Sequence, residues 1–392
     1  MAIIEQDVAA GVSFALTEEQ TGLRALAREF AEREIRPKAA EYDLHSTHPA
    51  DVIAKAHEVG LLNLHVPEAY AGLALSAFDG MLVGEELAWG CSGIATALTA
   101  NGLGAAPVIL AGTGAQQATW LPPLVEEPIL CSFGLSEPDA GSDVARMKTT
   151  AVRRGDEYVL NGSKTFITNA GYAAWTVVFA KTDAGKGHKG ISAFVVPMDA
   201  PGVTIEEHLQ KMGQRSTDTS AFALQDVVVP AENRLGAEGE GFKIAMRTLD
   251  FTRPGTAAGA VGVAQAAYDH AVEYAKQRVT FDVPIAMHQG ISFMIADMAT
   301  RIEAARLLVW QSAWLHDQGQ RATLQSSFAK LFAAETVMQV TTDAVQVFGG
   351  YGYMQEYPVE KLMRDAKLFQ IYEGTSQIQQ LVIAKEIFLP RG

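Results

Sequence analysis

Apolar positions in the first third of the chain recur at helical spacing. Thr17-Glu18-Glu19-Gln20 has the form of a capping box, and Leu23, Leu26, Ala27 and Phe30 after it share one face. The helical pattern holds to about residue 127, with breaks at Pro49, at Pro67 and Gly72, and at Gly112 and Gly114. Pro122 and Pro123 precede a change of period. Over 129–230 the runs ILCSFGLS, TTAVRR, EYVLNG, TFITN, WTVVFAK, ISAFVVP and AFALQDVVVP are short and rich in Val, Ile, Phe and Thr, which predicts strands. Turns are expected at Arg154-Gly155-Asp156, Asn161-Gly162 and Pro201-Gly202, giving an antiparallel β domain. After Gly241 the helical period returns. Ile291, Met294, Ile295, Met298, Ile302 and Ala305 form a stripe on a helix ending near Gly319, and a second long helix is expected from about 323 to 350. The order predicts an α+β chain: a helical domain over 1–128, a β domain over 129–240 and a bundle of long helices over 241–392.

Composition narrows the function classes. At 392 residues and 48% apolar the chain suits two or three cores. A formal net charge of −14 argues against a nucleic-acid surface or an anionic-membrane patch, while leaving room for a local basic pocket. Cys91 and Cys131 lack metal-ligand spacing, so no metal site is expected and both read as buried thiols. The opening MAIIEQDVAAGVSFAL lacks a basic start and a long apolar run, and no later segment reads as the roughly 18 apolar residues of a membrane span. The chain reads as cytoplasmic.

Candidate chemistry concentrates in a few segments. In Ile371-Tyr372-Glu373-Gly374-Thr375-Ser376-Gln377 a lone carboxylate lies between an aromatic and a glycine, where partial burial would raise its pKa and suit it to act as a base. Thr375, Ser376 and Gln377 offer hydrogen bonds to a polar cofactor. An ordinary helix start carrying Glu in its first turn has the same composition, and the residues alone leave both readings open. Gly185-Lys186-Gly187-His188-Lys189-Gly190 matches a dinucleotide fingerprint only formally, because ISAFVVP after it reads as a strand and not as a helix that would hold a pyrophosphate. Ser136-Glu137-Pro138-Asp139-Ala140-Gly141-Ser142-Asp143 offers backbone N–H groups and hydroxyls to a flat polar ligand, although a plain turn looks alike. Phe166-Ile167-Thr168-Asn169 ends a strand with an aromatic and a hydroxyl, suited to a flavin face or to core packing. Arg278-Val279-Thr280-Phe281 and His288-Gln289 supply a cation and donors near a helix end, and Gln346-Val347-Phe348-Gly349-Gly350 permits close backbone approach.

Taken in order and spacing, LSEPDAGSDV, MGQRSTDT, LDFTRPGTAAGAVGVAQ, QVFGGYGYMQEYPVEKLMRDAK and IYEGTSQIQ resemble the acyl-CoA dehydrogenase family over about 14–388, most like its medium-chain branch. The resemblance implies three domains, the last a four-helix bundle, with FAD between the β domain and the bundle. It implies that Glu373 is the catalytic base. It makes Phe133, Leu135, Ser136, Ser142, Phe166, Ile167 and Thr168 flavin contacts, with Ser142 also near the acyl-CoA. Arg278, Thr280, His288, Gln289, Gln346, Gly349 and Gly350 would grip the pyrophosphate and adenine end of FAD from a neighbouring subunit, and Thr375, Ser376 and Gln377 complete that set. Asp250, Phe251, Thr252 and Arg253 match a CoA-contacting turn. Tyr372, Gly374, Thr96 and Thr99 belong to the acyl side.

The resemblance carries distinctions of its own. Branches that place the base on the helix near 252 meet Thr252 here, a hydroxyl that cannot serve near neutral pH. Phe166 stands where the medium-chain pattern usually has tryptophan, and Ala95 and Thr99 where it tends to have glutamine and glutamate. The implied reaction is removal of an α-proton by Glu373 and of a β-hydride to flavin, giving a trans-2-enoyl-CoA, with enolate stabilisation by a FAD ribityl hydroxyl and the Glu373 N–H. The implied partners are acyl-CoA, an electron-transfer flavoprotein and further copies of the chain as a tetramer. A same-fold oxidase, an enoyl-CoA reductase and a flavin-less helical scaffold are the alternatives.

Overall fold

Thr17 caps the first helix as its sequence predicts: its side chain accepts from the Gln20 N–H, while Gln20 accepts from the Thr17 N–H at 3.1 Å. The computed structural model describes residues 14–389, so the expectation drawn from residues 1–13 lies outside it. The N-terminal helices are α1 (Glu18–Phe30), α2 (Ala39–His45), α3 (Ala50–Glu58), α4 (Ala77–Gly90), α5 (Ser92–Ala111), α6 (Gly114–Trp120) and α7 (Pro122–Glu126). Strands β1 (Leu130–Gly134), β2 (Thr150–Arg154), β3 (Glu157–Thr168), β4 (Ala173–Lys181), β5 (Ile191–Pro197), β6 (Val203–His208), β7 (Thr219–Pro230) and β8 (Arg234–Leu235) follow. Helix α8 (Gly241–Gln277) opens the last third, with β9 (Val279–Thr280) and β10 (Val283–Pro284) as a short ribbon. After these come α9 (Gln289–Asp317), α10 (Thr323–Phe348), α11 (Pro358–Ala366) and α12 (Ser376–Phe388).

Helix α5 corrects the expectation that no segment has the length and apolarity of a membrane span, since its 20 residues do. It is a core helix: Ile94, Ala97, Leu98, Ala105, Ala106 and Val108 are buried, and it packs on α4, α8 and β1. One apolar core runs without a break from α1, α3, α4 and α5 into α8, α9 and α10, so the two helical regions share their interior.

The sheet is mixed, not antiparallel. Its order is β6-β7-β3-β2-β4-β5-β8, and β1 pairs with β4 in parallel. The reason is connectivity: β1 enters from α7, and the chain reaches β2 through the long loop 135–149, so no hairpin forces an antiparallel neighbour. Strands β4 and β5 are buried on both faces, Val177, Phe179, Ala193 and Val195 toward the side that meets α5, and Val178, Ala180, Phe194 and Val196 toward Tyr158, Phe222 and Leu224. That double burial accounts for their unbroken apolar runs.

Asn161-Gly162 is not a turn. It lies inside the 12-residue strand β3, where the register against β7 slips between Leu160 and Gly162. Gly162 has φ +150°, and a Cβ there would lie 2.4 Å from Thr149 Oγ1, so the dipeptide marks a bulge. Residues 184–190 link β4 to β5 with no helix after them, as the rejection of the dinucleotide fingerprint requires. A further correction concerns Asp250, Phe251, Thr252 and Arg253, which sit within α8 and form no loop turn. Pro254 removes the N–H that would bond the Asp250 carbonyl, and the His316 side chain hydrogen-bonds that backbone instead.

Candidate active site

Helix α12 starts at Ser376, with Thr375 as its cap accepting from the Ile378 N–H at 3.1 Å. Glu373 is therefore outside the helix, two residues before the cap, in a turn where Glu373 has φ +50° and Gly374 φ +93°. A glutamate in the left-handed region costs about 1–3 kcal/mol and persists only where its surroundings impose it. Here Lys330 Nζ donates to the Gly374 carbonyl at 2.6 Å, and Gln379 Nε2 donates to the same oxygen at 3.1 Å and to the Glu373 carbonyl at 3.4 Å. A Cβ on Gly374 would come within 2.6 Å of Gln379 Nε2.

The carboxylate points at α8. Thr256 Oγ1 donates to Glu373 Oε2 at 2.6 Å, and Thr252 Oγ1 lies 3.5 Å from the same oxygen. Burial pushes the Glu373 carboxyl above the usual carboxylate range; the Thr256 hydroxyl, the charges of Arg253 and Lys330, and the Thr252 hydroxyl act against it. Lys330 is buried within α10, and burial lowers its ammonium to about 8 against the pull of Glu373. A raised carboxyl pKa in an enclosed site, with cations nearby to keep it ionised, is the electrostatic form of a general base.

Tyr372, beside the carboxylate, is held by Gln214 and Thr96, and burial raises its phenol pKa. Thr96 Oγ1 in turn donates to Gln214 Oε1 at 3.0 Å. Thr99 lies farther along α5, is exposed, and spends its hydroxyl on the Ala95 carbonyl at 3.0 Å. Asp250 and Arg253 pair at 2.6 Å, Thr323 donates to Asp250 at 3.0 Å, and Phe251 packs edge-on against His65 at 5.3 Å. Thus α5, α8 and α10 converge on the 371–375 turn.

A second group forms at the end of β1. Lys164 is fully buried, donates to the Leu135 carbonyl at 3.3 Å and pairs with Glu137 at 2.8 Å. The Thr165 N–H bonds the Ser136 carbonyl at 3.1 Å, so this pair of contacts brings the 135–143 loop and the end of β3 together. There Phe166, at φ +58°, is 68% exposed, Ile167 is buried, Thr168 is half-buried and Ser142 is exposed. Phe133 instead packs on Phe179, ring centroids 4.9 Å apart, at the core.

A third group lines a cavity of about 530 Å³ between the end of α8, the start of α9 and the end of α10. Arg278, Thr280, His288, Gly349 and Gly350 line it; Gln289 and Gln346 are exposed and outside the lining. Thr280 and His288 are 3.0 Å apart, Arg278 lies 5.6 Å over Tyr351, and a Cβ on Gly349 or Gly350 would meet nothing within 4 Å. A cation, an imidazole and open glycine backbone fit a dinucleotide's phosphates. Of the remaining three, Gln377 is exposed, Thr375 caps α12, and buried Ser376 donates its hydroxyl to Glu335 at 2.6 Å.

Comparison with known proteins adds to this geometry. The descriptions "Acyl-CoA dehydrogenase, N-terminal domain", "middle domain" and "C-terminal domain" match residues 17–128, 132–227 and 239–388. The chain belongs to the acyl-CoA dehydrogenase family. It is 43% identical to a short-chain specific acyl-CoA dehydrogenase of Clostridium acetobutylicum, over 96% of this chain and all of that one. Butyryl-CoA dehydrogenase from Megasphaera elsdenii superposes with TM-score 0.94 at 44% identity, covering 96% of this chain and 100% of that chain. A chain from work on the electron transferring flavoprotein of Acidaminococcus fermentans gives the same score, identity and coverage. This acyl-CoA dehydrogenase is an oxidoreductase of the FAD-dependent class that converts acyl-CoA thioesters to 2-enoyl-CoA.

Sequence reading missed several groups at this site. Thr256 is hidden in the small-residue run GTAAGAVGVAQ, and Gln214 in a loop; neither gives a signal without the fold. Lys330 does leave one, a lone cation inside an otherwise apolar run, whereas Lys164 sits among Asn161, Ser163 and Thr165 and leaves none.

Proposed function

We propose that Glu373 removes the α-proton of a short-chain acyl-CoA, with FAD bound against the exposed edge made by Ser136, Ser142, Phe166 and Thr168. The observation that carries the reading is the Glu373 carboxylate itself: held off α12, half-buried, and set near the Thr256 hydroxyl and the cations Arg253 and Lys330. Thr252 faces the same carboxylate oxygen and has no basic group, which leaves Glu373 as the base. FAD, when bound, supplies the acceptor for the β-hydride. The chain's residues orient and exclude: Tyr372 and Thr96 border the acyl side, Gly374 lets the backbone approach the thioester, and the 250–253 segment of α8 faces the CoA side. A short acyl group is favoured by the short-chain and butyryl relatives; nothing in them favours the medium-chain branch.

The Arg278 cavity supports a cofactor shared between subunits. Its lining comes wholly from the C-terminal third, with no residue of the main sheet or of the 135–143 loop, and in this reading one FAD touching both groups bridges two copies of the chain. The domain divisions at 128/129 and 240/241, an assembly of four copies and delivery of electrons to an electron-transfer flavoprotein belong to the same reading, the last supported by the Acidaminococcus likeness. The test is to mix the purified flavin-bearing protein anaerobically with acyl-CoAs of graded length. Butyryl-CoA should bleach the flavin band and yield crotonyl-CoA in equal amount, and an electron-transfer flavoprotein should then restore the band without peroxide. An unbleached flavin with every acyl-CoA tried would overturn the reading, and stoichiometric peroxide in place of transfer would make the protein an oxidase.

A further inference from the structure

We propose that Thr256 is a positioning residue for the dehydrogenation, its hydroxyl holding Oε2 of Glu373 so that Oε1 is the oxygen presented to the α-proton. The inference deepens the reading of Glu373 as base and rests on it.

Three observations carry it. The bond is short, 2.6 Å, and crosses from the middle of α8 to the 371–375 turn. Thr256, like Thr96 and Thr323, spends its hydroxyl on a side chain of another segment, whereas Thr99, Thr300, Thr341 and Thr342 each return theirs to the carbonyl four residues back. Thr252 does the same, bonding the Thr248 carbonyl at 3.2 Å, and each threonine has one hydroxyl proton, so at 3.5 Å it is the lesser donor to Glu373. Both hydroxyls address Oε2, and neither occupies Oε1.

The turn's geometry shows why such a holder is needed. Lys330 and Gln379 fix the backbone through the Gly374 and Glu373 carbonyls, and neither of those bonds orients the carboxylate. A base must meet the proton it removes within hydrogen-bond reach, so a freely rotating carboxylate would lose rate. A hydrogen bond to the ionised form also opposes the effect of burial on the carboxyl. The charged and titratable groups facing Glu373 are Arg253 on α8, Lys330 on α10 and Tyr372 next to it in the chain; Glu335 acts on Lys330.

The test uses the flavin-bearing enzyme and two variants. Thr256→Val keeps the shape and removes the hydroxyl; Thr256→Ser keeps the hydroxyl. Anaerobic flavin reduction by butyryl-CoA is followed against pH, and the protonated-carboxyl infrared band, assigned by its loss in Glu373→Gln, is titrated separately. Thr256→Val should move the acid limb of the rate profile and the infrared titration upward together, by about one pH unit. Its plateau rate should fall about tenfold with KM nearly unchanged, as expected for lost orientation. Thr256→Ser should retain wild-type behaviour in both. Wild-type titration in the valine variant, or equal shifts in valine and serine variants, overturns the proposal. If Glu373→Gln reduces flavin at near wild-type rate, the base assignment falls instead, and the infrared titration still reports whether Thr256 bonds the carboxylate.

Discussion

Glu373 combines two costs that a structural residue would avoid, a left-handed backbone and a half-buried carboxylate whose pKa desolvation raises. Lys330 answers both, since its ammonium bonds the Gly374 carbonyl and its charge opposes the rise in the Glu373 pKa. The lysine itself is strained electrically: burial lowers it to about 8, so the folded chain binds fewer protons there than the unfolded chain above that pH. Its destabilising charge is present below about pH 8 and is relieved as pH rises toward the ordinary lysine range. Replacing Lys330 with Met should therefore leave a Tm difference that shifts in favour of the wild type as pH rises through 8 to 10, read by calorimetry. The same variant should move the acid limb of flavin reduction upward, because a cation that favours ionised Glu373 is gone. A pH-independent Tm difference with an unmoved limb would contradict this account. The aromatic and glycine around Glu373 singled it out in the sequence, and only the family resemblance made it the expected base. Helix start and base remained alike there because φ +50° and the Thr256 bond are properties of packing between segments more than a hundred residues apart.

Elements were legible where periodicity decides them and illegible where long-range pairing does. The long helices α9 and α10 follow their stripes closely, ending at Asp317 and Phe348 beside the expected glycines. The parallel pairing of β1 with β4 has no local signature, since a strand's composition does not state which neighbour it joins. Asn161-Gly162 carries the strongest hairpin dipeptide yet serves a bulge, because Asn161 bonds Asp226 on β7 through Nδ2 at 3.0 Å and through Oδ1 at 2.9 Å. Only likeness to the family segment places Asp250 to Arg253 in a turn; they lie within α8, which continues through Pro254, with His316 hydrogen-bonded to the Asp250 backbone. The loop of 135–143 was found from its composition, whereas the buried Lys164–Glu137 pair that ties it to β3 required the fold.

At the scale of the whole molecule, a chain of net charge −14 concentrates Arg278 and His288 in one cavity whose walls come only from its C-terminal third. Val279, Phe281, Met287 and Phe293 nearby are exposed, which suits a surface that meets another copy of the chain. Arg278→Ala should release flavin and lower the assembled mass together, by absorbance and size-exclusion with light scattering; retained flavin at unchanged mass would separate the cavity from the cofactor. The central claim is that Glu373 removes the substrate α-proton. Its most direct test is anaerobic stopped-flow mixing of flavin-loaded Glu373→Gln with butyryl-CoA, where the thioester should still bind but flavin reduction should slow by roughly three to four orders of magnitude. Reduction within a few-fold of the wild-type rate would contradict the account.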